Sequence, residues 1–201
     1  MTITLIIIAI TAIVSFSGFS NAQLVDKLIL WPPAVSRKKE YYRLASYGLI
    51  HADLQHLLFN MLTLFFFGRL MEQVYTALLG PFGFLVFYAG GLIVSILPSY
   101  LRNRNNSRYR SLGASGAVSA VLFAFILLQP WAKIIVFVVP MPAILYAILY
   151  VVYTFYMDRQ GTGNINHSAH LWGAAYGVLA TIVVYPPAIG MFFHGLSNTG
   201  Y

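Results

Sequence analysis

Residues 82–101 read FGFLVFYAGGLIVSILPSYL, twenty residues without an Asp, Glu, Lys or Arg among them. A helix of that length is about 30 Å long, which matches the hydrocarbon thickness of a bilayer. Upstream lie comparable apolar runs from Ile3 to Phe19 and from Leu54 to Leu79. Downstream lie Leu112 to Pro130, Ile134 to Met157, and Ala169 to Tyr185, where Pro186-Pro187 ends or kinks the last helix. The composition agrees: 59% of residues are hydrophobic and 8% are charged, against about 25% charged in a soluble domain. So few charged side chains cannot solvate the surface of a soluble domain of this size. A chain whose outer surface faces lipid has no such need. The expected architecture is an all-α integral membrane protein, multi-pass, with six transmembrane helices and a long first loop, in a single domain over residues 1–201. The first run has no Lys or Arg before it and only a weak cleavage-like Ser20-Asn21-Ala22. It is therefore read as a retained helix rather than a leader.

The chain contains no cysteine, so neither a disulfide nor a thiol nucleophile enters the chemistry. Its formal net charge of +7 raises nucleic acid as a partner. The basic residues, however, sit between apolar runs, where membrane lipids with anionic headgroups are the fitting partners. The stretch from Ser20 to Asp53 holds Trp31-Pro32-Pro33 and Arg37-Lys38-Lys39-Glu40, and its aromatic residues suit the membrane interface. The loop from Asn103 to Arg110 is strongly basic, and the stretch from Asp158 to Ser168 is polar and rich in Gly and Asn. All the Lys and Arg residues except Arg69 and Lys133 fall on the odd-numbered loops. The positive-inside rule places those loops in the cytoplasm.

Ionisable and polar residues inside apolar runs are costly in lipid and mark sites. His56 and Asn60 are four apart and share a helix face, with His51 five residues before His56. Read by themselves they serve either a helix–helix hydrogen bond or a ligand site. The spacing does not match His-Glu-x-x-His and no Glu lies between, so no metal is assigned. The fourth run opens with Gly113-Ala114-Ser115-Gly116. These small residues make a packing seam. They also put Ser115 at a helix start, where unpartnered N–H groups and the positive helix end can stabilise an oxyanion. The sixth run opens with Ala169-His170-Leu171-Trp172-Gly173 and reaches Gly177. His170 lies on the face carrying both glycines. If that face packs on the small residues of the fourth run, a His meets a Ser.

Taken together and in order, these motifs resemble the rhomboid intramembrane serine proteases, of the bacterial six-helix type. His51, His56 and Asn60 resemble the family's second-helix motif. Gly113, Ala114, Ser115 and Gly116 resemble its nucleophile motif, and Ala169, His170, Gly173 and Gly177 its last-helix motif. Arg43 and Glu72 fall where the family has an Arg in the first loop and a Glu at the far end of the second helix.

The resemblance implies a serine endopeptidase with no metal and no cofactor, which cleaves in or near the transmembrane helices of other membrane proteins. Ser115 is then the nucleophile and His170 its base. The Ser115 N–H, Asn60 and His56 hold the oxyanion, and His51, Arg43, Glu72 and the four glycines 113, 116, 173 and 177 support the site. Its implied setting is a bacterial inner membrane. Ser119, one turn after Ser115, departs from members that carry a Tyr there beneath the histidine, which leaves Tyr176 or Trp172 as candidate supports. Two other readings stand beside this one: a rhomboid-like factor that binds membrane proteins without cutting them, and a small transporter. The first would lack the Ser or the His. The second would spread polar groups along several helices.

Rhomboids open their site to the outside and keep the N-terminus in the cytoplasm, the reverse of the basic-residue count. Reporter fusions after Arg104 and at the C-terminus should place the third loop outside and the tail in the cytoplasm. The opposite pair of signals would invert the molecule.

Overall fold

The computed structural model describes residues 2–136, 138–161 and 165–197. Residues 162–164 of the polar loop predicted from Asp158 to Ser168, and the C-terminal tail from residue 198, lie outside the described residues. Helix α1 (Thr2–Ser20) buries Thr4, Ile7, Thr11, Ser15 and Gly18, and exposes Leu5, Ile6, Ile10, Ile13 and Phe16. Its small and polar residues therefore face inward and its large apolar ones outward, the arrangement a lipid solvent favours. The first N–H groups of a helix lack intrahelical partners. Glu72 satisfies two of them here, accepting from the Ile3 and Thr4 N–H groups at 3.1 and 3.0 Å and from Thr4 Oγ1 at 2.7 Å.

The long first loop is itself structured. It contains α2 (Ala22–Leu28), α3 (Pro32–Lys38), α4 (Arg43–Ser46) and a 3₁₀ turn at Tyr47–Leu49. Arg43 holds it together, donating to the carbonyls of Asp26 and Ile29 at 2.6 and 2.8 Å and to Glu40 at 2.5 Å. That hydrogen bond also keeps the Glu40 carboxyl below its ordinary pKa.

Helix α5 (Leu54–Thr63) starts at Asp53, whose carboxylate accepts from the His56 N–H at 2.7 Å. It continues through a π-turn at Leu64–Gly68 into α6 (Arg69–Leu79), so that 54–79 form one span. Helix α7 (Gly83–Arg102) is the quoted stretch with its flanks shifted by one. Helix α8 (Ser115–Leu128) follows, then α9 (Ala143–Gln160), α10 (His167–Val184) and α11 (Pro187–Ser197). Pro187 opens α11, which bends 113° away from α10.

One predicted boundary is corrected. The fifth run does not begin as a helix at Ile134. Residues Lys133–Val136 (β1) and Val139–Pro142 (β2) pair antiparallel, and the helix starts only at Ala143. Pro140 and Pro142 have no N–H to give a helix, and hydropathy does not register that loss. Among the described residues, the spans Thr2–Ser20, Leu54–Leu79 and Gly83–Arg102 are each long and apolar enough to cross a membrane, and the bent α10–α11 pair makes a fourth candidate. Helix α8, at 14 residues, is about 21 Å long and so shorter than the ~30 Å hydrocarbon core.

That short helix is the centre of the bundle, with eleven of its residues buried. Helix α7 approaches it at Gly91, where a Cβ would come 3.2 Å from Ala117 Cα. Helix α10 crosses it more closely still. A Cβ on Gly173 would overlap the carbonyl oxygen of Gly116, and one on Gly177 that of Ala120. Gly173→Val should therefore force the two helices apart and cost about 1–3 kcal/mol or more, read as a fall in the unfolding midpoint in detergent. Val183→Leu, at a position 79% exposed to the lipid side, should leave the midpoint unchanged. An unchanged midpoint for Gly173→Val would refute the crossing.

Candidate active site

The first residue of α8 is Ser115, and its Oγ lies 2.7 Å from His170 Nε2 on α10. The first intrahelical bond of α8 runs from the Val118 N–H to Ala114 O at 3.0 Å. The N–H groups of Ser115, Gly116 and Ala117 therefore stand at the positive end of the helix without an intrahelical acceptor. Immediately before them the chain turns through Gly113 at φ 107°, a conformation that favours glycine. A Cβ there would also press on the His56 ring, 2.5 Å from Cε1.

His51 fixes that turn from below. Its Nε2 accepts from the Ala114 N–H at 3.3 Å, and its Nδ1 pairs with Ser15 Oγ at 2.9 Å. Ser15 Oγ donates to Leu49 O at 2.8 Å, so it accepts from Nδ1–H, and one tautomer satisfies all three bonds. His56 stands edge-to-face on His51, with centroids 4.9 Å apart. Asn60 is buried and gives one amide proton to His56 O at 2.9 Å, which leaves it a second. Arg43 and Glu72 make their hydrogen bonds to other elements, Arg43 bracing the first loop and Glu72 capping α1.

The support of His170 comes from a residue that sequence reasoning missed. Tyr150 on α9 lies with its ring 6.1 Å from the His170 ring, at an interplanar angle of 21°. Its hydroxyl is 2.6 Å from Ser119 Oγ, and Ser119 Oγ donates to Ser115 O at 2.7 Å. The four residues Ser115, His170, Tyr150 and Ser119 thus close a ring of contacts across three helices. The two candidates named from sequence are placed elsewhere. Tyr176 stacks on Phe87 and donates to Phe87 O at 3.2 Å, and Trp172 is 49% exposed. No periodicity in α9 singles out Tyr150 among its neighbours.

A second omission had a readable signal. Asn166, three residues before Ala169, caps α10 by accepting from the Ala169 N–H at 3.1 Å, the usual spacing of an N-cap. Its amide group also meets Ser99 Oγ, the Tyr109 hydroxyl and Ser111 Oγ at 2.9–3.3 Å. His167, also unremarked in the sequence, is buried and stands edge-to-face to His170 at 5.9 Å. Among the described residues, no group of three or more His, Asp or Glu is gathered for a metal ion.

A multi-pass helical membrane protein with a Ser–His pair at the start of its central helix is the class that fold and site define. Comparison with known proteins gives the family. The Rhomboid domain model matches residues 38–187, and the chain belongs to the rhomboid family. It is 33% identical over 146 residues to "RHOMBOID-like protein 12, mitochondrial" of Arabidopsis thaliana, across 65% of this chain and 42% of that protein. It is 26% identical over 162 residues to "Putative rhomboid protease YdcA" of Bacillus subtilis, across 78% and 76%. To "Rhomboid protease GluP" of the same bacterium it is 28% identical over 154 residues, across 76% and 28%. The chain thus spans less than half of the Arabidopsis relative.

The Tyr150 contact is open to test through the reactivity of Ser115 toward a fluorophosphonate. Tyr150→Phe keeps the ring and drops one hydrogen bond, so labelling should slow no more than about fivefold. Tyr150→Ala removes the platform and should slow labelling by ~10²-fold, the effect of an ångström of misplacement. Equal rates for the two variants would show that the ring does not position His170.

Proposed function

We propose that this chain, read as one rhomboid-like membrane domain with six spans, is a serine endopeptidase that cuts other membrane proteins in or near their transmembrane helices by a Ser–His dyad. The observation that carries this reading is the 2.7 Å approach of His170 Nε2 to Ser115 Oγ. With Nδ1 protonated, Nε2 accepts the hydroxyl proton as Ser115 attacks a peptide carbonyl. The developing oxyanion is held by the Ser115 N–H, by the remaining amide proton of Asn60 and by the His56 ring. The protonated His170 then gives its proton to the leaving amine. It next takes one from water, which attacks the acyl-enzyme and releases the second product.

None of the hydrogen bonds to His170 comes from a carboxylate among the described residues, and Tyr150 takes over the task of orienting the ring by stacking. Loss of a triad carboxylate costs about 10⁴ in rate where it has been measured, so slow turnover is expected. A substrate helix hides its carbonyls in its own hydrogen bonds and must unwind locally before attack. Segments with Gly, Pro or Ser near a small residue are therefore the favoured substrates. The shortness of α8 supports the placing of Ser115 below the membrane surface, and the polar groups of His51, His56, Asn60 and His170 give water a lining there. We assign the chain to a bacterial cell membrane, on the Bacillus relative that it matches over 76% of its length.

The Ser–His pairing favours this reading over a non-cutting binding factor, and the gathering of polar residues at one end of α8 favours it over a transporter. The deciding assay incubates purified protein in detergent with a labelled single-span substrate. Ser115→Ala and His170→Ala should each abolish cleavage and leave the unfolding midpoint in place. Full activity in either would end the dyad mechanism. Asn60→Ala and His56→Ala should each cost about 2–4 kcal/mol, seen in kcat. A change confined to KM would make these two residues substrate-binding instead.

A further inference from the structure

At the end of α7 remote from Gly83, the first loop and the α7–α8 loop enclose an open cleft of about 700 Å³. Arg37, Arg102 and Arg104 line it, together with Ser36, Asn105 and Asn106. All three arginines are exposed, and none forms a salt bridge among the described residues. The walls are tied together before any ligand arrives. Leu30 and Ser111 exchange two backbone hydrogen bonds at 3.0 and 3.2 Å, Ser36 Oγ donates to Arg104 O at 3.3 Å, and the Arg110 guanidinium lies 4.5 Å over the Trp31 ring.

We propose that this cleft binds the phosphate headgroup of an anionic lipid. Guanidinium groups match phosphate oxygens in pairs, and the side-chain amides of Asn105 and Asn106 add donors to a lining that offers no carboxylate to repel the ligand. Arg102 is the last residue of α7, a helix of bilayer length, so the cleft sits at headgroup level. A simpler role exists for two of the residues: Arg37 and Arg102 lie in the last turns of α3 and α7 and complement those helix dipoles. It leaves out Arg104, which lies beyond the helix, and the concave shape. An acidic peptide from solution is the less fitting occupant, because a lipid phosphate is anchored at this depth at high local concentration.

The proposal rests on the membrane setting and not on the Ser–His chemistry, so its test reads binding alone. Short-chain phosphatidylglycerol, phosphatidylcholine and inorganic phosphate are titrated separately onto the protein in neutral detergent, and retained ligand is counted by native mass spectrometry. Phosphatidylglycerol should be held. Arg37→Gln/Arg102→Gln/Arg104→Gln should weaken it by roughly a hundredfold, from about fivefold per basic residue. Lys27→Gln/Lys133→Gln/Arg159→Gln removes the same charge outside the cleft and should leave binding unchanged. All six positions are exposed, so both variants should fold, which the unfolding midpoint checks. Equal loss in the two variants, or none in either, overturns the site. So does phosphatidylcholine or inorganic phosphate binding as tightly as phosphatidylglycerol, or an acidic peptide displacing the lipid at equal concentration.

Discussion

Two helix backbones pass each other with nothing between them where α10 crosses α8, and the rest of the molecule is arranged around that contact. Lipid offers no hydrophobic force to press helices together, so close approach and the dispersion it recovers must do so. The carbonyls of Gly116 and Ala120 lie where Cβ atoms on Gly173 and Gly177 would be. Any side chain at these positions would hold the axes apart. Because His170 is one turn before Gly173, the same crossing sets its ring over the first residue of α8, and the 2.7 Å approach to Ser115 follows. Helix α7, packed through Gly91, closes the other side. A helix hemmed in on both sides has to be built of small residues, as α8 is in its first turns.

Around this centre the polar side chains attend mostly to backbone groups. Glu72 caps α1, Asp53 caps α5, Asn166 caps α10, Arg43 takes up two carbonyls of the first loop, and His51 takes the Ala114 N–H. In a medium without water each such group would otherwise stand unpaired at a cost of several kcal/mol. This explains why so acid-poor a chain, with five Asp and Glu in all, spends two of them on helix starts.

The sequence alone determined the apolar runs, and with them a multi-pass helical membrane protein, because bilayer thickness sets a length that composition can be measured against. It also carried the small-residue stretches at Gly113–Gly116 and at Gly173 and Gly177, because close helix contact needs small residues about one turn apart, a spacing that survives in one dimension. The pairing of β1 with β2 escaped, since hydropathy counts apolar side chains and not the N–H groups that Pro140 and Pro142 lack. Tyr150 escaped for a deeper reason. It is one of fourteen tyrosines, and its place under His170 depends on how α9 is rotated against α8 and α10, which no local period encodes. The same holds for the cleft between Arg37 and Arg104, residues 67 positions apart in the chain that are brought together by the pairing of Leu30 with Ser111 and by the Ser36–Arg104 hydrogen bond. Spacing along one helix is a property of the chain. Which faces of different helices meet is decided by packing, and only the tertiary structure holds that.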